Sequence, residues 1–134
     1  CRDYFKWGFV RDPYDRAFSC YIHSNNWDHE AFSQLRSSSW GEFMEKLSEK
    51  ERRGSVPHTR PQVDLLCIDG SVAVDFVGRF DRIQEDFNEV CVRLGQKEIP
   101  LPHLRNLRHG RITPPGHEKK IRELYAVDYE TFSF

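Results

Sequence analysis

No stretch of the sequence approaches the roughly 20 consecutive apolar residues that span a bilayer, and none has the basic flank and short apolar core of a secretory leader. Membrane contact by this segment is therefore not expected. Charge of one sign is lacking too: 20 Lys and Arg stand against 21 Asp and Glu, a formal net charge of -1. With a mean hydropathy of -0.71, the chain has neither the global positive field of a nucleic-acid binder nor the apolar bulk of a membrane protein. Nucleic acid is not an expected partner, and any anion site must be local. The four cysteines, Cys1, Cys20, Cys67 and Cys91, include no CxxC or other metal-ligand spacing, so no metal is expected. Cys20, Cys67 and Cys91 sit within apolar patterns and read as small buried hydrophobes in preference to disulfide partners. There is no Asn-x-Ser/Thr acceptor, and both signs tilt the reading toward the cytoplasm.

What is present suffices for a core. The 134 residues include three Trp, five Tyr and ten Phe, and a chain of this length buries roughly two-thirds of the surface its unfolded form exposes. One domain over Cys1–Phe134 is expected, without staples. The first residue is Cys1 and not Met, and a buried-looking strand starts almost at once, which suggests a fragment or a processed product.

Residues Tyr4 to Val10 (YFKWGFV) form a near-continuous apolar run, as in a strand covered on both faces. Arg11-Asp12-Pro13 ends it. Asp12 suits an N-cap, Pro13 the first helical position and Asp15 the first turn, so a helix is predicted from Pro13 to about His23. Ser39-Trp40-Gly41-Glu42 has the form of a capping box, followed by Trp40, Phe43, Met44 and Leu47 at helical spacing. A shorter helix around His29 to Leu35 is expected before it. Glu51 to Gln62 mixes charge with one Gly and two Pro and reads as a loop. Asp69-Gly70 between apolar runs is a hairpin signal, with strands expected near Asp64–Ile68 and Val72–Phe80. Asp81 with Gln84 reads as a capping box for a helix whose stripe is Ile83, Phe87, Val90, Cys91 and Leu94, and Gly95 ends it. Pro100 and Pro102 keep the next segment extended, and Ile121, Leu124, Tyr125 and Phe132 predict a closing helix from about His117.

The corner at Arg11 carries the most chemistry. A buried strand feeding a helix N-terminus directs backbone N–H groups and the positive end of the dipole at whatever lies there, which favours an anion. At roughly 100° per residue, Asp12, Arg16, Ser19 and His23 share one sector of the helix, while Tyr14, Ala17, Phe18, Tyr21 and Ile22 share the opposite one. Arg11 offers a planar donor fork and Ser19 a hydroxyl two turns along, a pair suited to one phosphate group. The alternative is a local salt-bridge cluster of Arg11 and Arg16 with Asp12 and Asp15.

The run FVRDPYDRAFSCY (Phe9 to Tyr21) resembles the element of sulfotransferases that binds the 3'-phosphate of 3'-phosphoadenylyl sulfate, a strand followed by R-D/N-P-x-x-R-x-x-S-x-Y. HTRPQVDLLC, VDFVGRFDRIQEDFNEVCVRLG, LPHL and IRELYAVDYETF follow in the order and spacing of the carbohydrate sulfotransferase family, which includes the chondroitin enzymes and bacterial relatives. The resemblance covers nearly the whole chain. It implies an α/β, P-loop-type fold with a largely parallel sheet flanked by helices. It also implies transfer of a sulfuryl group from 3'-phosphoadenylyl sulfate to a hydroxyl of a carbohydrate acceptor, with adenosine 3',5'-bisphosphate as product. Arg11 and Ser19 match the donor-phosphate positions. Arg16 matches the motif's second arginine, as a donor contact or a brace of the helix. His58, in H-x-x-P-Q, falls by resemblance near the acceptor cleft, as an acid/base, an acceptor contact or an ordinary loop histidine. Arg105 belongs with His103, Arg108, His109 and Arg111 to the densest basic run, which either closes over an anionic donor or sulfated glycan or is a solvated loop.

One departure stands out. The family's Gly-containing phosphosulfate loop, whose N–H groups cradle the donor's sulfated phosphate, is not found between Cys1 and Phe134. That part, and the general base of related enzymes, is expected upstream, and the piece alone is expected to be inactive. The alternative function is a non-catalytic module binding anionic nucleotides or glycans. The compartment is cytoplasmic for a bacterial protein and, for a relative of the eukaryotic enzymes, the Golgi lumen with an anchor upstream.

Overall fold

A computed structural model of the chain describes residues 4–27, 29–102 and 116–134. In chain order the elements are β1 (Trp7–Val10), α1 (Pro13–Asn26), a 3₁₀ turn (Glu30–Phe32), α2 (Trp40–Ser48), α3 (Lys50–Gly54), α4 (Val63–Leu66), β2 (Cys67–Ile68), β3 (Ser71–Val72), β4 (Phe76–Arg79), a second 3₁₀ turn (Phe80–Arg82), α5 (Ile83–Arg93), α6 (Glu118–Leu124) and α7 (Ala126–Phe132). They fall into two compact units. A strand unit comprises Cys1–Arg11 and Leu66–Ile112, and a helical unit comprises Asp12–Leu65 and Thr113–Phe134.

In the helical unit, α1 starts because the Asp12 carboxylate accepts the N–H groups of Tyr14 (2.9 Å) and Asp15 (3.1 Å), with Pro13 in the first turn. It runs three residues beyond the expected end, to Asn26. Ser39 caps α2 through the N–H of Glu42 (3.2 Å), but the Glu42 carboxylate reaches back to the N–H and hydroxyl of Ser38 (2.8 and 2.7 Å), one residue before the expected partner. The apolar stripes then meet. Tyr14, Ala17 and Cys20 of α1 pack in one cluster with Leu35, Trp40, Phe43, Met44, Leu47, Ile121 and Tyr125. The Trp40 ring lies edge-on to Tyr14, Phe18 and Tyr21 at 5.4–5.8 Å, a geometry that aligns positive ring edges with negative faces. Two expectations change here. The helix around His29 to Leu35 is only a 3₁₀ turn, and the expected loop opens with the helix α3, whose Arg52 pairs with Glu49 at i, i+3 (2.9 Å).

In the strand unit β1 and β4 pair in parallel, with Trp7 opposite Phe76 and Val10 opposite Arg79. Glycine is required at position 78: a Cβ there would lie 2.4 Å from the Phe9 ring. β2 and β3 make a short hairpin around Asp69 (φ 50°) and Gly70 (φ 76°), the two left-handed positions that a two-residue primed turn demands. The strand expected over Val72–Phe80 is interrupted because the chain changes partners. Ala73 N–H bonds the Leu66 carbonyl (2.8 Å), whereas the N–H groups of Asp75 and Phe76 bond the Lys6 carbonyl (2.7 and 3.2 Å). The strand expected from Asp64 is helical as far as Leu66. Asp81 does not cap α5; its carboxylate lies 3.4 Å from Arg79 Nε, and Arg82 stands at the N-cap without a side-chain capping hydrogen bond, its guanidinium lying 3.4 Å from the Asp86 carboxylate. Gly95 (φ 67°) follows the end of α5 as expected.

The closing helix is two helices that break at Tyr125. Cys20, Cys67 and Cys91 are free thiols, Cys20 and Cys91 buried and Cys67 half-buried, and Cys1 lies outside the described residues. The architecture is α/β, with helices and a small parallel sheet.

Candidate functional site

Parallel register brings two side chains to one edge of the strand unit. Val10 and Arg79 are the last paired residues of β1 and β4, so Arg11 and Phe80 both follow the carboxyl ends of their strands. The Arg11 guanidinium lies over the Phe80 ring, 4.7 Å from its centroid. Such a cation–ring contact places the positive charge beside the ring face. Ligands of open α/β sheets bind outside the carboxyl ends of the strands, and a guanidinium there suits a phosphate oxygen pair. Arg79 beside it is engaged differently: its side chain faces Asp81, and its N–H donates to the buried Asp86 carboxylate (2.5 Å).

In the helical unit the first amides of α1 already have an acceptor, because Asp12 takes those of Tyr14 and Asp15. The helix end thus carries its own anion, and binding of an external one falls to side chains. Ser19 sits half-buried two turns along α1. Asp12 and Tyr14 also line a shallow cleft of about 270 Å³ with Glu118, Arg122 and Tyr129. The Tyr129 phenol there is pushed up to about 12, first by burial and then by the Asp12 carboxylate.

Arg16 reaches away from α1 to the loop that carries His58. Its two terminal nitrogens donate to the carbonyls of Arg60 (2.6 Å) and Pro57 (2.5 Å). Of the expected alternatives for Arg16, this geometry is that of a brace. His23, one sector-mate further along, stacks on His58 with ring centroids 6.3 Å apart, and Phe32 approaches the same imidazole at 5.2 Å. Burial, then the neighbouring charges of His23 and Arg16, hold the His58 pKa below its ordinary value. At neutral pH the ring is a free base, able to accept a proton. The structure therefore brings Arg16, His23 and His58 together.

Sequence reasoning does not single out Asp128 and marks Tyr125 only as a core residue of the closing helix. Asp128 of α7, fully buried, and Tyr125 hold the loop from the other side. A signal for Asp128 existed: it falls on the helical period of Ile121, Tyr125 and Phe132, where a carboxylate must be buried and hence partnered. The remaining expected site residue, Arg105, lies outside the described residues together with His103, Arg108, His109 and Arg111. Among the described residues no group of three or more His, Cys, Asp and Glu side chains is assembled to hold a metal ion, and no helix is long and apolar enough to cross a membrane.

Comparison with known proteins identifies a family. The model described as "Sulfotransferase family" matches residues 1–134. Carbohydrate sulfotransferase 9 of Homo sapiens is 27% identical over 128 residues, covering 79% of this chain and 29% of the human protein. The chain thus spans less than a third of that relative's length. No solved structure gives a significant match.

Proposed function

The chain belongs to the sulfotransferase family, and from that premise we propose that it serves transfer of a sulfuryl group from 3'-phosphoadenylyl sulfate to a hydroxyl of a carbohydrate, releasing adenosine 3',5'-bisphosphate. The observation that carries this reading is the Arg11 guanidinium over Phe80 at the carboxyl ends of two parallel strands. The carbohydrate acceptor is supported by the relative named for such a substrate.

In this reading Arg11 and Ser19 each take the donor-phosphate role that the family motif implies for its position, Arg105 supplies positive charge toward the anionic donor, and Arg16 braces the loop of His58. Transfer proceeds by attack of the acceptor oxygen on sulfur. A new S–O bond forms, the bond from sulfur to the bridging phosphate oxygen breaks, and the nucleotide leaves with the electron pair. The hydroxyl proton must go to a base, and in place of the base that related enzymes are expected to carry upstream the reading assigns that role to His58, whose surroundings hold its pKa below the ordinary value. The sulfated phosphate itself needs donors at the bridging oxygen, a requirement the reading assigns to a phosphosulfate loop in polypeptide outside these 134 residues.

The test is transfer of label from [³⁵S]3'-phosphoadenylyl sulfate to desulfated chondroitin by the full-length protein. We expect labelled glycan and an equal amount of adenosine 3',5'-bisphosphate. His58→Ala should lower kcat roughly 10²- to 10⁴-fold, the range for a general base. Tight nucleotide binding without transfer to any of a panel of glycans would contradict the enzymatic reading and favour a binding module.

A further inference from the structure

We propose that Asp128, assisted by Tyr125, is the positioning residue for His58, holding the 57–63 loop from a helix 65 residues further along the chain. The inference rests on the reading of His58 as the proton acceptor, and it concerns the helical unit alone.

The loop is anchored at nearly every residue around His58. Asp128, fully buried, accepts the backbone N–H and the side-chain amide of Gln62 on Oδ2 (2.8 and 3.3 Å) and the N–H of Val63 on Oδ1 (3.0 Å). It thereby supplies an acceptor for the first turn of α4. Tyr125 donates its hydroxyl to the Thr59 carbonyl (2.7 Å), and the Thr59 hydroxyl, fully buried, donates to the Arg53 carbonyl (2.8 Å). Arg16 takes the carbonyls of Pro57 and Arg60 from the other side. A buried carboxylate is costly unless partnered, and in this loop conformation the carboxylate and the amides of Gln62 and Val63 satisfy one another. His58 is thus presented to His23 and Phe32 on a loop whose backbone Asp128 and Tyr125 hold.

The experiment measures the His58 imidazole by NMR titration in the full-length protein. Kinetics of sulfuryl transfer and calorimetry with adenosine 3',5'-bisphosphate accompany it. In Asp128→Asn the charge-assisted bonds are lost while shape is kept. We expect the His58 titration to rise toward the ordinary 6.5 as the ring leaves its buried place. With it kcat should fall roughly 10- to 100-fold, the scale for about 1 Å of misplacement, while nucleotide affinity stays within about twofold of wild type. Tyr125→Phe removes one bond and should do the same to a smaller extent, and it decides the matter if Asp128→Asn does not fold. An unmoved His58 titration in the folded variants overturns the proposal, whatever the activity. A shifted titration with kcat unchanged preserves the positioning role and instead removes His58 as the base.

Discussion

The helical unit and the strand unit differ most in how they bury apolar surface. In the first, twelve buried side chains between Tyr14 and Tyr125 make one cluster. In the second, Val10, Val90 and Cys91 are the buried apolar side chains among the described residues, and Ile68, Val72, Phe80, Val92, Leu94 and Ile99 are exposed. The cause is geometric. Amphipathic helices bury a stripe against one another, whereas a parallel strand pair is stable when both its faces are covered. The lesson is functional as well: His58 is held by the densely packed unit, and the Arg11 cation stands at the edge of the thin one.

The contrast can be broken most directly at Phe43, fully buried and stacked on Trp40 with centroids 5.6 Å apart. Phe43→Ala should destabilise by about 3–5 kcal/mol in urea unfolding, while Val92→Ala, at a residue 60% exposed, should stay within about 0.5 kcal/mol. Equal effects would erase the difference between the units. Next in size is Gly78→Ala in the strand unit. Its Cβ meets the Phe9 ring at 2.4 Å, and forcing the two apart should cost about 1–3 kcal/mol, read as a shift in denaturation midpoint. A neutral result would mean that β1 and β4 pack less closely than described.

A smaller effect sharpens the comparison through pH. Burial first, then His23 and Arg16, lower the His58 pKa in the folded chain. The unfolded state therefore binds the proton at a higher pH than the folded state, and acid favours unfolding. This contribution is complete above the unfolded value of 6.5 and is lost as pH falls through the lower folded one. His58→Gln should flatten the pH dependence of stability just below about 6.5; an unchanged slope would place the imidazole in open solvent.

Legibility from sequence followed the reach of each determinant. The start of α1 at Asp12-Pro13, the Ser39 cap of α2, the Asp69-Gly70 turn and the stop at Gly95 were readable because their causes lie within a few residues. α4 was read as a strand because the acceptor for its first amides is Asp128, 65 positions beyond Val63. The Asp81 capping box failed because Asp81 is drawn to Arg79. The strand–Arg–Asp–Pro corner singles out Arg11 as a candidate, but the sequence gives no sign of Phe80 beneath it. That contact depends on the parallel register of two strands far apart in sequence, which no local pattern encodes. Arg16 showed the reverse: the motif marked it, while its bonds to the Pro57 and Arg60 carbonyls became visible only in the fold.

The central claim is that Arg11 grips the nucleotide, and calorimetric titration of adenosine 3',5'-bisphosphate into the full-length protein tests it most directly. Arg11→Ala should weaken binding by about 1.5–3 kcal/mol, the range for a hydrogen bond to a charged group. Affinity equal to wild type in that variant would contradict the account.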